Sequence, residues 1–181
     1  YLDLFARKHK RGGAWMDECR VRMKCTNNKI QAPVAFVTCN FNPPEGDKKA
    51  LLTHEDVLTL FHETGHALHH VLTKIDYAAI SGINGVPWDV VELPSQIHEY
   101  WCWEEKGLEM ISEHVDSKES LPKEILTQLK RAKNYQSGLF LSRQLEFALF
   151  DIILHESFVP DKGDSQIYDV LKQIRDRVSV I

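Results

Sequence analysis

The sequence predicts a mainly α protein with a small β-sheet at its N-terminal end. Three observations carry that expectation. Residues 1–45 hold short extended runs broken by turn formers. From Thr53 onward, apolar residues recur at helical spacing. Three further helix-patterned runs then complete the chain. The expected division is a β-rich portion over residues 1–45 and a helical portion over 53–181.

Taken in order, residues 1–7, 20–26 and 33–41 read as extended, with turns at Arg11-Gly12-Gly13 and Asn27-Asn28-Lys29. Strand alternation would put Val34, Phe36 and Thr38 on one face. Residues 33–41 are a candidate edge strand, able to pair with an extended peptide, although a plain structural strand is the favoured reading. Lys8-His9-Lys10-Arg11 reads as a solvated turn. Pro43, Pro44, Gly46 and Asp47 form a loop. Thr53 then reads as an N-cap, with Glu55 and Asp56 in the first turn of a helix over 53–73. Val57, Leu58, Leu60, Phe61, Gly65, Leu68 and Leu72 supply its apolar stripe. The turn formers from Ser81 to Pro87 reverse the chain, and Pro94 suits the first turn of a returning helix. Ser120-Leu121-Pro122 starts another helix, which runs to about Tyr135. Leu139, Leu141, Leu145, Phe147, Leu149, Phe150 and Ile153 mark a largely buried one, and residues 165–177 a final amphipathic one. Trp101 and Trp103 are expected in the core.

The chemistry concentrates in His62-Glu63-Thr64-Gly65-His66. On a helix, residues four apart are offset by only about 40°, so His62 and His66 can offer two imidazole nitrogens to one ion. Glu63 lies about 60° from His66, close enough to serve a water without being a ligand. By composition alone such a motif arises in roughly a few per cent of similar chains, so helical context and a third ligand are needed. Glu92, thirty residues after His62, supplies a carboxylate between Val91 and Leu93 at the start of the returning helix. A carboxylate in apolar surroundings needs a partner, and a metal supplies one. An exposed acid at a helix N-terminus is the plainer alternative, and the spacing favours the ligand. Glu99, seven residues on and on the same face, is a candidate acceptor for a zinc-bound imidazole. His70 stands at i+4 from His66, where a capped or solvated imidazole is a better reading than a second metal. His155 is expected at the surface.

These motifs resemble the thimet oligopeptidase family of zinc peptidases, and its bacterial oligopeptidase A branch most of all. The resemblance runs through His62 to His70, Ser81-Gly82, Val86-Pro87-Trp88-Asp89, Val91 to Gln96 and Glu99 to Glu104. Tyr1 to Arg7, Lys10 to Met16, Ala132 to Gln136 and Arg143 to Glu146 extend it over nearly the whole chain. It implies a zincin-like metallopeptidase catalytic domain, one Zn2+ held by His62, His66 and Glu92, and Glu63 as general base. It also implies cleavage of short unfolded peptides, including cleaved signal peptides, by a cytoplasmic or organellar enzyme. Cytoplasmic is the expectation for this chain. Thr64 departs from the family's usual Phe, which touches local packing rather than ligation. The family's downstream Gly/Tyr-rich segment, which supplies oxyanion-stabilising His and Tyr residues, has no counterpart, nor has its long N-terminal helical portion. The chain begins without Met and ends on Val180-Ile181, so it is read as part of one catalytic domain whose N- and C-terminal parts are missing. Zinc binding with weak or no turnover follows. A zinc-bearing structural or peptide-binding module without hydrolysis is the alternative.

Composition restricts the partners. The net charge is −4 and no basic stripe occurs, which argues against nucleic acid. No run of 18 apolar residues occurs, so no membrane partner is expected. A monomer is expected. Cys19, Cys25, Cys39 and Cys102 lack C-x-x-C spacing and read as reduced thiols, with a Cys19–Cys25 disulfide as the minor alternative.

Overall fold

The computed structural model describes residues 1–180. The chain divides into two compact units, Tyr1–Leu121 and Pro122 onward.

The first unit is a sheet backed by a helix. Strands β1 (Leu2–Phe5), β2 (Trp15–Arg20) and β5 (Val34–Phe41) form a three-stranded sheet in the order β1-β5-β2. β1 runs parallel to β5, pairing Leu2 with Val37, and β2 runs antiparallel, pairing Met16 with Val37. Strands β3 (Met23–Lys24) and β4 (Ile30–Gln31) make a separate hairpin. The period-2 pleat of β5 buries Ala35, Val37, Cys39 and Phe41 and turns Val34, Phe36 and Thr38 to the other side. The three expected residues do share a face, and it is the less buried one. Leu60 and Ala67 of helix α1 (His54–Val71) pack on Val37, Cys39 and Phe41, together with Leu4 and Met16.

Two expectations are corrected here. The segment 33–41 is not an edge: β5 is the central strand, hydrogen-bonded on both sides. The edge beside it is β2, whose sequence Trp-Met-Asp-Glu-Cys-Arg shows no apolar alternation. Such charge on an exposed strand is a usual feature of edges. Nor is Lys10 a solvated turn residue. Its side chain is 4% exposed, and its ammonium donates to the carbonyls of Asp3 and Phe5.

Helix α1 starts as expected. Thr53 accepts from the Asp56 amide while the Asp56 carboxylate accepts from the Thr53 amide, a reciprocal capping box. Helix α2 (Leu93–Glu99) begins with Pro94 in its first turn and packs along α1. Gly65 makes that crossing close. A Cβ there would lie 2.7 Å from Ser95 Cα and 2.8 Å from the Pro94 carbonyl oxygen. The loop between the helices is tied back by His70, which is fully buried. Its Nε2 donates to the Arg20 carbonyl at 2.9 Å and its Nδ1 accepts from the Ile83 amide at 3.4 Å. Gly82, with φ +66°, passes so close to this imidazole that a Cβ would collide with it. His70 is therefore a capped, structural histidine.

After Glu99 the chain tightens into a 3-10 turn over Tyr100–Trp103. The turn directs Cys102, not the tryptophans, onto α1. The Cys102 carbonyl accepts from His54 Nε2 at 2.9 Å. Trp101 is 58% exposed, contrary to expectation, and Trp103 packs edge-on against His54. Helix α3 (Glu105–Ile111) completes this unit's helices.

The second unit holds α4 (Lys123–Lys133), α5 (Ser137–Ser157) and α6 (Ser165–Val178). These match the expected helices, but α5 is not largely buried. Phe140, Leu141, Leu145, Phe147 and Ile152 are exposed. Apolar residues surround α5, whereas its pairing with α6 covers only one stripe of it. On that stripe Glu146 is buried between two guanidinium groups, Arg175 at 2.7 Å and Arg143 at 2.5 Å. His155 lies at the surface, as expected.

Hydrogen bonds from Arg175 and Arg143 hold the Glu146 carboxyl below its ordinary value of 4.5. A carboxyl depressed in the folded state stabilises the fold above its unfolded value and loses that contribution as pH falls through the folded value. Glu146→Gln should therefore melt at a lower temperature than wild type near neutral pH. The gap should close as acid protonates the wild-type carboxylate. Far-UV circular dichroism melts across pH check this.

Candidate metal centre

Three of the expected residues meet at one point. His62 Nε2 and His66 Nε2 each stand 3.1 Å from the same oxygen, Glu92 Oε2. The α1 periodicity presents the two imidazoles from successive turns, their rings 5.0 Å apart and nearly perpendicular. Glu92 is the N-cap residue of α2, so the close crossing at Gly65 brings its carboxylate over them. No other cluster of three such groups occurs among the described residues.

Donor chemistry tests whether a metal fits. His62 Nδ1 lies 2.6 Å from Glu99 Oε1, the contact expected of Glu99. With Nδ1–H donating there, a neutral His62 keeps a lone pair on Nε2, aimed at a carboxylate oxygen. Lone pairs meeting an anion repel unless a cation lies between them or the rings are protonated. Around tetrahedral zinc, ligands at about 2.0–2.2 Å stand about 3.3 Å apart, close to the 3.1 Å spacings here. The three residues fit a metal of that kind.

The surroundings tune each acid. Burial pushes the Glu63 carboxyl up, against the opposing pull of His62, His66 and the Met16 backbone amide. Glu63 is 7% exposed, placed by the same β2 strand that borders the sheet. For Glu92, burial also acts upward, but the Ser95 hydroxyl and the two imidazoles together bring it below the ordinary value. His69 is pushed down, by burial first and then by His66 and His70. Cys39 and Cys102, both buried, are raised to about 11 chiefly by burial and stay neutral thiols. All four cysteines are free.

Sequence reasoning missed Gly65, Ser95 and the Met16 amide as parts of this site. A glycine inside an otherwise helical run was the one available signal for Gly65. Ser95 and Met16 act through contacts between elements, which no local pattern reveals.

The family model for Peptidase family M3 matches residues 1–181. The chain belongs to peptidase family M3. Within that family, the thimet oligopeptidases, it falls on the oligopeptidase A branch. It is 58% identical to oligopeptidase A of Haemophilus influenzae over 100% of this chain and 26% of that protein. The oligopeptidase A of Escherichia coli is 56% identical over the same shares. The organellar oligopeptidase A of Arabidopsis thaliana is 44% identical over 100% of this chain and 23% of its own length. The chain thus spans about a quarter of the length of these curated relatives. No helix among the described residues is long and apolar enough to cross a membrane.

If the Glu99 contact orients His62, Glu99→Gln should weaken zinc binding about 10–100-fold while leaving the helical signal intact. Competition against a chromophoric chelator measures this. Unchanged affinity would mean that the 2.6 Å contact does not orient the imidazole.

Proposed function

We propose that this chain is the metal-bearing part of a zincin-like catalytic domain that hydrolyses peptide bonds in short, unfolded oligopeptides. The observation that carries this reading is the convergence of His62, His66 and Glu92 beside a buried Glu63. His62, His66 and Glu92 would hold one zinc ion. When bound, zinc supplies Lewis acidity, polarising a carbonyl and lowering the pKa of a water at its open position to about 7.

The remaining work falls to side chains. Glu63 serves as the general base, taking a proton from the attacking water and returning it to the leaving amine. Burial raises its carboxyl above the ordinary carboxylate value, the direction that suits a group which must both take and return a proton. Glu99 fixes the His62 ring through Nδ1. An extended peptide would add to β2, the edge strand nearest Glu63, where main-chain pairing gives affinity without demanding a sequence.

Both compact units belong, on this reading, to one catalytic domain. The same reading includes a cytoplasmic monomer with neither nucleic acid nor membrane as partner. The net charge of −4 and the free thiols support the partners and the compartment. Turnover by the chain alone is expected to be weak. The sequence contains no counterpart to the Gly/Tyr-rich segment that the family resemblance credits with stabilising the oxyanion, and one such donor is worth about 10²–10³ in rate.

Single-turnover cleavage of a quenched fluorescent peptide, with protein in excess, tests the proposal. Glu63→Gln should lower the cleavage rate at least about 10²-fold while zinc content stays unchanged. Cleavage unaffected by the substitution would contradict the base assignment. Zinc bound by wild type with no cleavage at all would favour a structural or peptide-binding module. Rapid multiple turnover by wild type would contradict the expected weakness.

A further inference from the structure

Ser95 is fully buried at the start of α2, yet nothing in the mechanism above uses it. Its hydroxyl reaches two acceptors, the Glu92 carbonyl at 2.8 Å and Glu92 Oε2 at 2.9 Å. The first contact is ordinary helix-start bonding across three residues. The second is not, because Oε2 is the very oxygen that faces His62 and His66.

We propose that Ser95 is a positioning residue that fixes Glu92 Oε2 as the third metal ligand. This rests on the metal-site reading above. The Glu92 side chain is 49% exposed and has several rotatable bonds, so by itself it would sample many rotamers. Among the described residues, the Ser95 hydroxyl binds this carboxylate from outside the ligand set. Ser95 is fully buried and packs directly on the α1 backbone: its Cα lies 2.7 Å from where a Cβ on Gly65 would sit. The hydroxyl is thus referenced to the same helix that carries the two histidines. Gly65 sets the distance between the helices, and Ser95 converts that distance into the placement of one oxygen. Its role toward Glu92 parallels that of Glu99 toward His62.

Cobalt(II) titration of the 181-residue chain tests this, because cobalt reports coordination through its visible absorption independently of activity. Ser95→Ala should bind cobalt about 10–100-fold more weakly than wild type, with an altered visible band, while its metal-free circular dichroism and melting stay close to wild type. Ser95→Thr, which restores the hydroxyl, should recover affinity and band shape. Should the threonine methyl not fit, the Ser95→Ala spectrum read against metal-free melting decides alone. No cobalt uptake by wild type would overturn the metal-site reading itself. Uptake by wild type with the same affinity and band in Ser95→Ala would overturn the role of Ser95 alone. A Ser95→Ala chain that loses its helical signal without metal would mark Ser95 as structural and also overturn it.

Discussion

The close approach of α1 and α2 at Gly65 is the constraint on which the rest of the site depends. Two histidines four residues apart on one helix face each other whatever surrounds them. A third ligand from another element requires that element to come within reach. At Gly65 the helices touch backbone to backbone, and a single methyl group would meet Ser95 and Pro94 at under 3 Å. Glycine inside a helix costs roughly 0.5–1 kcal/mol relative to alanine. Here that cost permits a contact no other residue allows. The carboxylate of Glu92, one residue before the start of α2, then falls onto His62 and His66.

Around this contact the remaining elements act as braces. The capping box at Thr53 fixes where α1 begins, hence which residues face α2. His54 ties that end to the Cys102 carbonyl, and His70 ties the other end to Arg20 of β2 and to the loop leading to α2. The sheet supplies the floor: Val37, Cys39 and Phe41 bury Leu60 and Ala67. With α1 seated on it, Glu63 is buried against β2, and burial is the main reason its carboxyl is raised. Two histidines outside the ligand set are thus structural. His54 and His70 hold the helix that carries the ligands.

Local features of the sequence were legible, and pairings between distant segments were not. Thr53, Asp56 and Pro94 announce helix starts through contacts within three residues, and both starts fall where expected. The convergence of His62, His66, Glu92 and Glu99 was legible because one helical period and one chain reversal suffice to predict it. Sheet order was not, since β5 inserts between β1 and β2, two strands that both precede it in sequence, one paired parallel and one antiparallel. β2 escaped notice because its exposed, charged residues carry no alternation. Trp101 was expected inside from its aromatic neighbour and helical context, and the apolar residues of α5 from their helical recurrence. Hydrophobicity gives a preference for burial, while burial itself needs a neighbour on that side. Ser95 was invisible for the opposite reason: a small polar residue at a helix start has an ordinary local explanation.

The central claim is that His62, His66 and Glu92 together hold one metal ion. Elemental analysis of the purified chain, dialysed without chelator, tests it most directly when wild type is compared with His66→Ala. The account predicts about one zinc per chain in wild type and its loss in the variant. No zinc in either, or equal zinc in both, would contradict it.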